Sequence, residues 1–207
     1  MAKIYIFLVF SWSLVLKPSL YFKDCFRYSL KKFASKESLL QWFKKQAGET
    51  SETFEYPLKL SDNQNVLIIL PDTAEEVALY FPFLQKISKI KKHGVLLLAN
   101  SLFENLIQTN QVKQEVLYYT TLGCRFGEDE FQKLKEVIQA RQIKASFYLQ
   151  RQTLFQMLYL CKSCGIPYRF GFDCENFYPL LNLSLIPGED FQKQIEALEA
   201  IFEGAVQ

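Results

Sequence analysis

Few residues in this chain are of a type and spacing suited to chemistry. The apolar run Val66–Leu70 is closed by the polar turn Pro71-Asp72-Thr73, with Glu75 and Glu76 close behind. Ligands of open α/β sheets gather where strands end and helices begin. The turn lacks the glycines that let a backbone wrap a phosphate. No Gly-rich phosphate loop occurs elsewhere, and Leu70-Pro71-Asp72-Thr73-Ala74 does not substitute for one. Thr73 followed three residues later by Glu76 completes a capping box, which by itself accounts for both residues. Cys161-Lys-Ser-Cys164 has the spacing of half a zinc site or of a redox pair. No second pair accompanies it, so buried structural thiols are expected, with Cys174 likewise. The single histidine, His93, excludes most histidine-based catalysis and most histidine-containing metal sites. Arg169 could touch a phosphate or a sugar, or pair with a surface carboxylate, and Gly171 reads as a residue of backbone geometry. The aromatic stripes read as core, and no cofactor is called for.

The elements that must position these residues alternate along the chain. Val66–Leu70 is an all-apolar strand, as a sheet covered on both faces requires. The capping box starts a helix that runs towards Ile90, with Pro82 bending it. Strands are expected at Gly94–Ala99, Val116–Tyr119, Ala145–Leu149 and Tyr168–Phe172. Helices are expected at Leu102–Thr109, Glu128–Arg141, Thr153–Cys164 and Asp190–Glu203. In the second of these, Phe131, Leu134, Val137 and Ile138 form the buried stripe; in the last, Phe191, Ile195, Leu198 and Phe202 do, with Gly204 as the stop. Asn176–Leu183 carries no clear signal, and Pro187-Gly188 breaks the chain. Alternation of this kind predicts a Rossmann-like α/β fold with a parallel sheet and flanking helices.

At 207 residues and 49% hydrophobic composition, one ordinary domain with a sizeable core plus extra segments is expected. A net charge of +2 is too small to argue for nucleic acid. The charge is uneven, however. Eight basic residues and only Asp24 and Glu37 lie between Lys17 and Lys45, out of totals of 24 and 22, so a basic N-terminal region precedes a mildly acidic body. Ile4–Leu16 is apolar throughout but shorter than the ~20 residues a spanning helix needs. It reads as a signal-type segment without a cleavage site, or as a buried element. Leu20–Gln46 has helical periodicity with Phe22, Phe26, Leu30 and Phe33 on one side. Its aromatics and basic residues, Phe22, Phe26, Arg27, Lys31, Lys32 and Phe33, suit either an anionic membrane surface or a helix packed on the domain with a solvated basic face. Gly48–Asn65 is a polar linker with one short strand at Phe54–Leu60. The organisation expected is therefore an N-terminal segment over 1–60, a Rossmann-like domain over 61–187 and a C-terminal helix over 188–207. Five cysteines and no convincing cleavage site point to reduced thiols in the cytoplasm.

The ordered set of segments resembles the N-terminal half of the lipopolysaccharide heptosyltransferases. Val66–Leu84, with Phe81-Pro82-Phe83-Leu84, resembles the family's first strand, turn and Leu-Pro-x-Leu helix. Asn110-Gln-Val-Lys-Gln-Glu-Val116 is similar to the approach to the third strand. Ala145-Ser-Phe-Tyr-Leu-Gln150 is similar to the fourth strand, and Gly165-Ile-Pro-Tyr-Arg-Phe-Gly-Phe172 to the family's Gly-x-x-x-Arg-Ile-Gly-Phe. The resemblance spans roughly Asn65–Gly204. It implies one half of a two-domain glycosyltransferase fold working in cell-envelope assembly, peripheral at the inner face of the cytoplasmic membrane. It aligns the family's Gly-Asp pair with Glu75-Glu76, which makes Glu76 the candidate base for an acceptor hydroxyl. It makes Asp72, Thr73, Arg169 and Gly171 candidate substrate-binding residues. The turn departs from the family pattern in losing its glycine, lysine and serines, and the resemblance ends where a donor-binding domain would begin. Two expectations follow: a degenerate or incomplete enzyme whose partner supplies the donor half, or a non-catalytic binding or scaffolding subunit.

Overall fold

A computed structural model describes residues 36–48, 64–90, 94–120, 127–150, 154–172, 174–185 and 191–204. The chain divides into compact units over 1–41 and 42–207. Of the first unit, the described part is Lys36–Gln41, the opening turns of helix α1 (Lys36–Ala47). The apolar run Ile4–Leu16, the membrane-surface candidates Phe22 to Phe33, the strand expected at Phe54–Leu60 and the break at Pro187-Gly188 all lie outside the described residues. No helix among the described residues is long and apolar enough to cross a membrane.

The second unit is built on a six-stranded sheet. Its strands are β1 (Asn65–Ile69), β2 (Val95–Asn100), β3 (Glu115–Tyr119), β4 (Ile143–Tyr148), β5 (Tyr168–Gly171) and β6 (Leu183–Ser184). They lie in the order β3-β2-β1-β4-β5-β6 with every pairing parallel. Val66–Ile69 and all of β2 are buried on both faces, which is why these strands read as unbroken apolar runs rather than alternating ones. Gly94 enters β2 at φ +78, and a Cβ there would lie 2.7 Å from Asn65 Oδ1, so only glycine lets the chain pass this close to β1. Of the strands expected from sequence, the five that fall in described residues are present with ends shifted by up to two residues. β6 is an addition: the stretch without a clear signal forms the short helix α6 (Cys174–Phe177) and then two residues of edge strand.

Helix α2 (Ala74–Ile90) starts as the capping box requires. The Glu76 N–H donates to Thr73 Oγ1 at 3.3 Å. It buries Val77, Tyr80, Phe81, Phe83, Leu84 and Ile87, while Pro82 stays exposed inside it without ending it. A short 3₁₀ turn (Ser101–Phe103) leads into α3 (Glu104–Thr109). In α4 (Glu128–Ala140), Leu134 and Ile138 are buried, and Phe131, half-buried, stacks on Tyr159 of α5 (Phe155–Ser163). Val137, expected in that stripe, is instead exposed at 36%. Positions 131, 134 and 138 already fill the narrow buried arc, and 137 falls on its outer border.

Helix α7 (Phe191–Gly204) lies against α2. Tyr80 meets Phe191 edge-on at 5.0 Å, Phe83 meets Phe202 at 5.9 Å, and Lys86 pairs with Glu199 at 2.7 Å. Phe202 also reaches Phe147 of β4, which stacks flat on Phe170 of β5 at 4.6 Å. The last helix thereby closes one face of the sheet over a continuous aromatic layer.

Candidate functional site

Strand order reverses between β1 and β4. The chain moves outward through β2 and β3, then crosses back to continue from β4 on the other side. The loops leaving the carboxyl ends of these two strands diverge to opposite faces, and the crevice between them is where open α/β sheets hold ligands. Here the crevice is bounded by Leu70-Pro71-Asp72 after β1 and Leu149-Gln150 after β4. Leu149 N–H donates to the Ile69 carbonyl at 3.1 Å and keeps the two ends side by side.

A buried polar cluster occupies this position. Gln150, 3% exposed, donates from Nε2 to the Leu70 carbonyl at 3.0 Å and to the Tyr119 hydroxyl at 2.7 Å. The carbonyl can only accept, so the amide orientation is determined and Oε1 points away from both partners. Tyr119 ends β3 and Tyr148 ends β4; the Tyr148 hydroxyl accepts from Leu154 N–H at 2.8 Å. On β2, Asn100 Oδ1 accepts from Leu102 N–H at 3.1 Å and caps the 3₁₀ turn. Of the four buried side-chain oxygens that lack a hydrogen-bond partner among the described residues, two belong to this cluster: Gln150 Oε1 and Asp72 Oδ1. Orphaned buried acceptors are rare in folded proteins and mark a place where a donor is wanted.

Electrostatics agree with this geometry. Burial raises the Asp72 carboxyl above its usual 3.8, and the nearby Glu76 charge raises it further, against a lowering backbone hydrogen bond. Burial pushes the Tyr119 phenol up to about 12, with the Gln150 bond opposing and Asp72 adding to the rise. Tyr148 is raised above the usual phenol range by burial, with Asp72 and Tyr119 contributing. These mutual effects bring Asp72, Tyr119 and Tyr148 into one electrostatic neighbourhood, with both phenols neutral at physiological pH.

The residues singled out from sequence are dispersed. Asp72, Thr73 and Glu76 lie together at the start of α2, where Thr73 and the Glu76 backbone are engaged in capping. Arg169 is elsewhere. It is 1% exposed, and its guanidinium donates to the carbonyls of Leu180 (2.9 Å), Pro179 (3.0 Å) and Ile166. The surface carboxylate and the phosphate or sugar expected for it are replaced by main-chain acceptors that hold the turn before β6. Gly171 serves the same region: a Cβ there would come within 2.5 Å of Leu181 Cδ1. Cys161 is buried and Cys164, expected to be buried, is only partly so because it caps the end of α5. Burial pushes their thiols up to about 12 and about 11, which disfavours the thiolate that metal binding and redox exchange both need. No group of three or more metal-ligating side chains occurs among the described residues. Cys174 opens α6, and its side chain lies outside the described set.

Tyr119, Tyr148 and Asn100 were not recognised as site residues from sequence, and Gln150 only as the end of a strand motif. Their common signal is a polar or phenolic residue closing an otherwise apolar strand.

No protein-family model matches this sequence, and no curated protein matches it. A crystal structure of a glycosyl transferase family 9 protein from Veillonella parvula matches the fold with a TM-score of 0.53 at 16% identity. The match covers 70% of this chain and 43% of that one. This chain therefore shares a Rossmann-like fold with that structure, and the match spans less than half of that structure's length.

Proposed function

We propose that the chain is a glycosyltransferase-like domain that receives a hydroxyl-bearing acceptor at the crevice between β1 and β4, with Asp72 as the base. The observation that carries this is Asp72 itself: a half-buried carboxylate with raised proton affinity and one unpartnered oxygen, next to the Tyr119–Gln150 pair. A general base works best when its proton affinity is raised towards the operating pH. In the proposed step, Asp72 takes the proton of the acceptor hydroxyl as that oxygen bonds to the anomeric carbon of a sugar nucleotide. The nucleotide leaves with the electron pair of the broken bond. Glu76, the base suggested by the family resemblance, supports Asp72 by its charge. The acceptor class proposed is a cell-envelope glycan or lipid, lipopolysaccharide included, met at the inner face of the cytoplasmic membrane through the basic aromatic segment around Phe22–Phe33. The donor is held by a second lobe, in the same polypeptide or in a partner.

The test is transfer from a radiolabelled sugar nucleotide to envelope acceptors, using the purified chain with a membrane fraction. Asp72→Asn keeps the shape of the side chain and should lower transfer about 100-fold or more, whereas Glu76→Gln should retain most of it. Equal turnover by Asp72→Asn removes that residue from the mechanism. A second reading, a non-catalytic scaffolding subunit, is favoured by the turn Leu70-Pro71-Asp72, which lacks the glycine that close approach of a sugar requires. It predicts no transfer by any variant and a stable protein partner on affinity purification.

A further inference from the structure

At the opposite end of the sheet, away from the crevice, two cavities adjoin. One, of about 440 Å³, lies between the carboxyl-terminal turns of α2 and the connection from α3 to β3. The other, of about 470 Å³, opens onto the amino ends of β1, β2, β3 and β4. Ser88, Lys113 and Gln114 line both. Each volume falls within the range of small-molecule sites.

We propose that these cavities form one binding site for a small hydroxylated phosphate ester. Three observations carry the assignment. First, charge: among the described residues, Lys89 and Lys113 line the smaller cavity, no acidic residue does, and neither lysine forms an ion pair. The neighbouring Arg141 is paired with Glu115 at 2.6 Å, so among the described lining residues the unpaired positive charge lies on the two lysines. Second, the walls: of the nine described residues lining the smaller cavity, one, Val112, is apolar, and the rest carry amides, hydroxyls or ammonium groups. Such a surface offers many hydrogen bonds to a polyol. Third, rigidity: Gln114 Nε2 donates to the Leu84 carbonyl at 2.6 Å, Asn110 Nδ2 to the Leu106 carbonyl at 2.8 Å, and Ser88 Oγ to the Gln85 carbonyl at 2.7 Å. The polar lining is thus fixed by the protein's own backbone before any ligand arrives, which limits the ordering cost of binding. The amide oxygens of Gln114 and Asn110 remain as acceptors for ligand hydroxyls, while the lysines take the phosphate as point charges.

The experiment is a titration of the full chain with glycerol phosphate, inorganic phosphate and glycerol at constant ionic strength, followed by amide chemical shifts. Glycerol phosphate should bind saturably, shift signals of residues 85–89 and 109–114, and bind more tightly than inorganic phosphate; glycerol alone should not bind. Lys113→Gln and Lys89→Gln should each weaken binding roughly tenfold, the size expected on losing a charged hydrogen bond. Lys133→Gln, an exposed lysine of α4, should leave it unchanged. A non-saturating response, or one that Lys113→Gln leaves intact, overturns the site. Inorganic phosphate binding as tightly as the ester overturns the assignment of a hydroxylated ligand. None of these readouts depends on transfer activity or on Asp72.

Discussion

Asp72 illustrates how one residue can be costly to the fold and useful to a site. Its carboxyl is raised above 3.8 in the folded state, so the folded chain holds this proton more tightly than the unfolded chain does. The sign of the linkage follows: its contribution to stability is favourable below pH 3.8 and is lost as pH rises through the raised value. Asp72→Asn removes that loss. The variant should melt higher than the parent near neutral pH, and the gap should close as pH falls below the ordinary carboxylate range. Calorimetric melting temperatures across pH measure this, and a gap that does not change with pH refutes it. Gain of stability on removing the carboxylate is the trade-off expected if Asp72 is the proposed base. Thr73 was legible from sequence because its bond to the Glu76 N–H spans three residues. The surroundings of Asp72 were not, because they are assembled from afar: Gln150 reaches its partners Tyr119 and Leu70 across 31 and 80 residues. No local pattern encodes such a meeting.

At the scale of elements, α2 and α7 were legible because long amphipathic stripes specify helices with little ambiguity. The region from β5 to β6 was not, because its order comes from a single buried cation. Arg169 binds the carbonyls of Ile166, Pro179 and Leu180, while Asn182 Oδ1 accepts from the Arg169 N–H at 2.8 Å and the Asn182 amide donates to the Pro167 carbonyl at 2.7 Å. A sequence pattern that marks arginine as polar points it outward; the fold instead uses its guanidinium to satisfy the carbonyls of a non-repetitive turn. Arg169→Met would fill most of the volume but leave several carbonyls without donors, at a cost of about 3 kcal/mol or more. Arg169→Lys should rescue little, since a compact ammonium cannot reproduce the fork. The midpoint of urea unfolding reports both, and a midpoint unmoved by Arg169→Met contradicts the pinning role.

For the whole molecule, alternation of strand and helix predicted a parallel sheet, and the sheet is parallel. It did not reveal the order of strands, because alternation is silent on which side of β1 each crossover returns. That order has a dynamic consequence. β1 is hydrogen-bonded on both sides, by β2 and β4, and its residues Val66–Ile69 are fully enclosed, whereas β3 and the two-residue β6 are the outermost strands. Deuterium should therefore enter first at the backbone amides of β3 and β6 and last at β1, whose protection approaches that of global unfolding. Mass spectrometry of timed exchange resolves the gradient, and uniform protection across the six strands would rule it out. Because Asp72 and Gln150 hang from the two innermost strands, the crevice they bound should persist while the margins of the sheet breathe.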